Sequence, residues 1–183
     1  MKLNLGCGSN KIEGFVNIDI EESCKPDLIH DFTKQPLPFD DNSIEEVVMF
    51  HTIEHINKRL HPLILSEVRR VLQPSGLFIV SFPEFSKCVE NWFTNKGGQK
   101  EFWEATIFGR QLYPSDFHVC IMDSHDFAIL MKNSGFDNIT SKPEPNESYN
   151  SFITAHKGEL LPTHDEIILK QMEEIQVVDN RRK

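Results

Sequence analysis

Basic residues are few in this chain. Lysine and arginine number 19 against 28 aspartates and glutamates, and the formal net charge is −9. No basic stripe remains for counterion release at a phosphate backbone, which argues against nucleic acid as a partner. Mild acidity otherwise serves solubility and names no ligand. Long apolar runs are missing too. None approaches the ~20 residues that cross a bilayer, so no membrane partner is expected. The amino terminus reaches Gly6 too early to hold the apolar stretch of a signal peptide, and a cytoplasmic location is expected. Cysteine is sparse: Cys7, Cys24, Cys88 and Cys120 stand far apart without a C-x-x-C pair. That spacing builds neither a disulfide framework nor a zinc ribbon, and leaves reduced thiols. No internal repeat or low-complexity tract is present.

What is there fits one sizeable core, since 183 residues are too few for two comfortable domains. Short apolar runs at 2–5, 16–20, 28–30, 46–50 and 77–82 read as five strands, separated by turn signals. One long helical pattern lies among them, the sign of an α/β fold with a mostly parallel sheet and crossover helices. The helix is expected over about 58–72, its apolar face formed by Leu60, Leu63, Ile64, Val68, Val71 and Leu72. The opposite face, with Lys58, Arg59, Glu67, Arg69 and Arg70, reads as solvated, with local ion pairs. Gln73-Pro74-Ser75-Gly76 stops the helix, because proline disfavours helical geometry in the residue before it.

After Pro83 the pattern is irregular. Trp92, Phe93, Phe102, Trp103 and Phe108 make either a lid lining a substrate or part of the core, since aromatics bury large areas in both settings. A helix over 124–134 stopped by Gly135, strands at 136–142 and 151–156, and a turn at 143–149 complete a domain spanning 1–157. Residues 158–183 read as a helical appendage. Thr163 and Glu166 form a capping box for a helix of about 165–178, whose apolar side would pack on its own domain or on a second copy in a homodimer.

The most informative segment is Asn4-Leu5-Gly6-Cys7-Gly8. Glycines directly after a strand permit a tight turn and close approach of a ligand to the backbone. Alone, such a pair is a common turn. The second strand, however, ends in Asn17-Ile18-Asp19, which places a carboxylate beside that turn, where it can accept ribose hydroxyls. A nicotinamide fingerprint is disfavoured: Lys11 replaces its third glycine, and the short interval 9–15 leaves little room for a helix to face a pyrophosphate. S-adenosylmethionine has no phosphate and needs an open turn with acidic neighbours. Asp31 would accept from the adenine amino group with Phe32 near the ring; alternatively it caps its own turn.

The stretch 3–20 resembles the glycine motif and acidic second strand of class I S-adenosylmethionine-dependent methyltransferases. The resemblance extends through Pro36-Leu37-Pro38-Phe39-Asp40-Asp41-Asn42-Ser43, the family's adenine-side loop. It continues through 45–56 and through Glu67-Val68-Arg69-Arg70-Val71-Leu72-Gln73-Pro74-Ser75-Gly76-Leu77. The family implies a Rossmann-like seven-stranded sheet flanked by helices, of order 3-2-1-4-5-7-6. It also implies S-adenosylmethionine as cofactor, bordered by Gly6, Cys7, Gly8, Asp19, Ile20, Asp31, Phe32 and His51. Phe108-Gly109-Arg110-Gln111 and Asp116-Phe117-His118 are similar to members found with surface-glycan biosynthesis, which points to a small-molecule or glycan acceptor. Two departures stand out: the helix that usually precedes the first strand is missing, and the first crossover is abbreviated.

His51-Thr52-Ile53-Glu54-His55 spells H-x-x-E-H, a zinc-protease pattern. That pattern needs both histidines on one helical face, whereas His51 sits at a strand end, so no metal is expected. The catalytic candidates are His51, Glu54, His55 and His118; the alternatives are that Glu54 caps the next helix and that His55 and His118 are ordinary polar residues. His118, beside Asp116, is a candidate base because imidazole titrates near neutrality. Methyl transfer to oxygen is the expected reaction. An inactive methyltransferase-like binding protein is the alternative, motivated by the short first crossover and the unassigned acceptor residues; a missing catalytic residue would not exclude activity, since in-line displacement from a sulfonium depends largely on orientation.

Overall fold

The computed structural model describes residues 1–112 and 114–159. The helix expected over 165–178, the proposed dimer face and the appendage that carries them lie outside the described residues. Strands β1 (Lys2–Leu5), β2 (Val16–Asp19), β3 (Leu28–Ile29), β4 (Ile44–Phe50) and β5 (Leu72–Pro83) run parallel. β6 (Phe136–Pro143) and β7 (Asn150–Lys157) form an antiparallel hairpin, and β7 joins β5 antiparallel. The seven strands follow the order β3-β2-β1-β4-β5-β7-β6, as the resemblance implied. Central β1 pairs through Leu3 with Val16 on one side and Val47 on the other. Its Leu3 and Leu5 are fully buried, as a strand covered on both faces requires.

The expected first long helix divides in two. A single 3-10 turn at Lys58–Leu60 leads into helix α1 (His61–Val71), with Pro62 in the first turn, where its missing N–H is harmless. The buried face consists of His61, Ile64, Leu65, Val68 and Val71, at helical spacing. Leu63, expected inside, is 42% exposed, and Leu65 takes its place. Each such aliphatic side chain contributes about 1.5–3 kcal/mol on full burial. The outer face is more than a solvated surface. Arg70 pairs with Glu67 and reaches the carbonyls of Leu37 and Phe39 and the carboxylate of Asp41, while Glu67 accepts from the Leu37 N–H. The charged face of α1 therefore holds the 37–41 loop. Arg69 donates to the carbonyls of Gly135 and Gly158, tying the same helix to the β6–β7 edge.

β5 begins earlier than expected because Leu72 already pairs with Ile44, before the chain loops out through Pro74 and Ser75 (φ 60°) and resumes pairing at Leu77. The irregular region after Pro83 proves to be two helices, α2 (Phe85–Thr94) and α3 (Lys100–Phe108). Helix α4 (Ser124–Asn133) ends before Gly135 (φ 84°). Among the described residues no helix is long and apolar enough to cross a membrane, and all four cysteines are free.

The abbreviated first crossover contains no helix, so its backbone groups need other partners. Asn17 supplies them. Its Oδ1 accepts from Ile12 N and Asn4 Nδ2 at 2.8 and 2.9 Å, and its Nδ2 donates to the Ile12 and Phe15 carbonyls and to Asp27. Asn4 and Asn17 are 2% and 4% exposed. A buried amide network stands where a crossover helix would otherwise pack.

Candidate active site

β1 and β2 deliver the glycine turn and the acid to the same sheet edge. Gly6 (φ 68°) and Cys7 both donate to the Ile18 carbonyl, at 2.8 and 3.1 Å, bending the chain over the end of β2. The Asp19 carboxylate accepts from Gly8 N at 2.7 Å and from Glu21 N at 2.9 Å, so it is fixed by backbone donors on both sides. At Gly8 (φ 49°) an added Cβ would meet nothing within 4 Å, which leaves the outer side of the turn open. A pinned carboxylate beside an open backbone turn suits an adenosine moiety, because each carboxylate oxygen retains a lone pair for a hydroxyl. Ile20, half exposed, follows Asp19. Asp31 accepts from Thr33 N and Oγ1 and pairs with Lys34 at 2.7 Å, the geometry of a capped turn. Burial opposes its charge, but Lys34 and Thr33 outweigh this and lower its pKa. Phe32 is part of the buried core.

β4 delivers the second group. His51 takes a left-handed conformation (φ 50°), which turns the chain out of the strand and prevents His51 and His55 from sharing a helix face. Residues Ile53–His55 are one 3-10 turn. His61, fully buried, reaches the carbonyls of Ile53 and Ile56 through Nε2 at 3.1 and 3.0 Å and braces that turn from below. The expected capping role of Glu54 is not realised. Helix α1 has no side-chain cap, and Glu54 is buried at 2% exposure with no hydrogen bond to either oxygen. Its Oε1 stands 3.3 Å from His51 Nδ1, outside hydrogen-bond geometry. Burial disfavours the His51 cation, yet Glu54 and Glu144 outweigh this and raise its pKa to about 9. Its Nε2 faces Glu144 and Asn150, both at 3.4 Å, in and beside the turn before β7.

His118 arrives from far along the chain. Gly109 (φ 80°) lets α3 end against this segment, since a Cβ there would collide with the Asp116 carbonyl and His118 N. His118 N then donates to Phe108 O, and Val119 N donates to Glu54 O at 3.0 Å. The His55 and His118 rings lie edge to face, 4.7 Å between centroids. Burial, followed by the effect of neighbouring His55 and His51 against an opposing Glu54, lowers the His118 pKa and favours neutral imidazole. Asp116, expected to stand beside His118, instead binds Arg110 and Leu112 N. All four catalytic candidates thus occupy one corner, and the cofactor candidates line the adjoining edge. Three neighbours escaped the sequence reading. Thr52 lies under the turn, its hydroxyl 3.1 Å from Gly6 O; Glu144 and Asn150 come from the hairpin.

The aromatics of α2 and α3 divide between the two roles. Trp103 is 2% exposed and packs edge-on against Tyr149 at 5.0 Å. Trp92, Phe93 and Phe108 line a groove of about 550 Å³ together with Phe85, Val89 and Ile107. Phe85 and Ile107 also line a separate small cavity of about 10 Å³ that borders Glu54 and His118.

The mostly parallel sheet of this order, with a glycine turn after β1 and an acid ending β2, is the arrangement that the resemblance implied. Residues 8–80 match a family model described as a methyltransferase domain. That segment is therefore similar to a methyltransferase domain.

Among solved structures it is similar to an S-adenosylmethionine-dependent methyltransferase of Archaeoglobus fulgidus. The identity there is 14% and the TM-score 0.62, over 85% of each chain. A Pyrococcus horikoshii protein is 21% identical, with a TM-score of 0.61 over 85% of this chain and 81% of that one. A Bordetella parapertussis protein is 11% identical, with a TM-score of 0.61 over 86% of this chain; this chain spans 61% of its length. These likenesses are of fold. No curated protein sequence matches the chain.

Proposed function

We propose that the protein methylates an oxygen of a small molecule or glycan precursor. In this reading Gly6, Cys7, Gly8, Asp19, Ile20, Asp31, Phe32 and His51 border the cofactor, and Glu54, His55 and His118 meet the acceptor. When bound, S-adenosylmethionine supplies a methyl group already activated by its sulfonium. The chain's own contribution is then to hold the acceptor in line and to take up the proton of its hydroxyl.

The observation that carries this reading is the buried, unbonded carboxylate of Glu54 beside two imidazoles at the sheet edge that bears the glycine turn. Ligands bind at this edge in open α/β sheets, and perturbed titratable groups there mark candidate sites. The groove between α2 and α3 has the volume of a small-molecule site and would take the apolar part of the acceptor.

Calorimetry with S-adenosylhomocysteine tests the cofactor half. Asp19→Ala should weaken binding by about tenfold or more, the scale of a lost charge-assisted hydrogen bond; equal affinity in the variant refutes the assignment of Asp19. Mass spectrometry over a panel of hydroxylated acceptors tests the other half. Cofactor binding without methyl transfer to any of them would favour an inactive binding protein.

A further inference from the structure

A carboxylate removed from water needs compensation; Glu54, at 2% exposure, has no hydrogen bond to either oxygen, and its Oε1 is ion-paired with His51 Nδ1 at 3.3 Å. The two imidazoles beside it do not supply one. His55 Nδ1 lies 3.0 Å from the Phe117 carbonyl. A carbonyl only accepts, so Nδ1 carries the proton and Nε2 the lone pair. In its neutral form, which burial favours, His118 also has one ring nitrogen with a lone pair. A catalytic dyad would show a hydrogen bond between base and carboxylate; none joins Glu54 to either ring. Three groups able to donate an electron pair therefore meet, with ligand atoms within 4.8 Å of one another.

We propose that Glu54, His55 and His118 bind one divalent transition-metal ion of the zinc class, as a three-ligand site with an open position for the acceptor. Two imidazoles with one carboxylate favour zinc, cobalt or iron over magnesium, which prefers oxygen. Donors around a tetrahedral zinc stand roughly 3.3 Å apart at bond lengths near 2.0–2.1 Å, so side-chain rotation must draw the set inward. The Phe117 carbonyl would orient the His55 ring, as outer partners of metal-bound histidine do. Sequence spacing pointed elsewhere: His51 of the H-x-x-E-H pattern turns to Glu144 and Asn150, and His118 takes its place. The ion's role rests on the O-methylation reading, though its binding does not. A Lewis acid beside the acceptor hydroxyl lowers the pH at which that hydroxyl releases its proton to water.

Titrating the chelator-stripped full chain with Co²⁺ should show a single equivalent bound, with visible d–d absorption, no thiolate charge-transfer band, and displacement by Zn²⁺. His118→Ala and Glu54→Gln should each weaken binding by about tenfold or more, since losing even an outer partner of a metal ligand costs 10–100-fold. The exposed His125→Ala should change nothing. Four results would overturn the proposal: no Co²⁺ uptake by the parent protein, undiminished affinity in both variants, a thiolate band from Cys120, or loss of binding in Glu147→Gln with retention in His118→Ala. Should either variant fail to fold, X-ray absorption of the Zn²⁺-loaded parent decides the matter. Two imidazoles without sulfur support the site; a sulfur shell refutes it. Methyl transfer that survives EDTA overturns the ion's role. Failure to bind S-adenosylhomocysteine strikes the methyltransferase reading and leaves the cobalt spectrum untouched.

Discussion

Thr52 occupies the space that a side chain at residue 6 would need. A Cβ built on Gly6 would collide with the Thr52 methyl and hydroxyl and lie 2.9 Å from its Cβ, whereas one on Gly8 meets nothing within 4 Å. Both glycines have positive φ, so alanine at either costs about 1–2 kcal/mol for the left-handed backbone. Gly6→Ala should lose about 1–3 kcal/mol more from overpacking. Urea denaturation should rank Gly6→Ala well below Gly8→Ala, and Thr52→Ala should recover part of the difference. Gly8→Ala should fold yet bind S-adenosylhomocysteine less tightly, because its methyl enters the open side of the turn.

Asn17 replaces a crossover helix with side-chain hydrogen bonds. Asn17→Ala removes the acceptor of the Ile12 N–H, one of the two acceptors of the Asn4 amide, and the donor to the Ile12 and Phe15 carbonyls, and each buried group left unsatisfied costs about 1–3 kcal/mol. Chemical denaturation should show a loss of about 2–5 kcal/mol on that basis. A loss under about 1 kcal/mol would show that water replaces the amide.

Asp27 links the same network to pH. The backbone and side-chain amides of Asn17 hold its carboxyl below the usual range, with Lys11 assisting against partial desolvation. A carboxyl whose pKa is lower in the folded state stabilises fully above its unfolded value, about 3.9, and loses that contribution as pH falls through the folded value. Thermal melts between neutral pH and pH 2 should show an acid limb that is shallower in Asp27→Asn. An unchanged limb would assign acid sensitivity to other carboxylates.

The four thiols should differ in reactivity. Burial, aided by Asp19, pushes Cys7 up to about 11; burial with Glu84 and Asp123 pushes Cys88 up to about 12; burial with Glu54 pushes Cys120 up to about 11. At pH 8 their thiolate fractions are about one in a thousand or less, and the thiolate is the reacting form. A disulfide reagent should label Cys24 first and the others only on unfolding. Cys24→Ser should abolish the fast phase.

Strand periodicity, the glycine pair and the acid ending β2 were legible because each depends on neighbours within about twenty positions, where chain geometry alone sets the pattern. The same reading put Leu63 inside, because period alone does not tell which of two adjacent leucines faces the sheet; packing chose Leu65. It saw no helices in the region of α2 and α3 and left the aromatics there between a lid and the core.

By itself, then, the sequence determined the α/β topology and the sheet edge on which Gly6, Gly8, Asp19 and Glu54 would stand. Tertiary structure alone decided the company they keep. His51 meets partners 93 and 99 positions away, and His118 reaches Glu54 because Gly109 allows α3 to end against its backbone. Such contacts depend on loop paths and side-chain rotamers chosen by the whole core, and no local spacing encodes them. That is why a motif read as H-x-x-E-H yields, in three dimensions, a different trio.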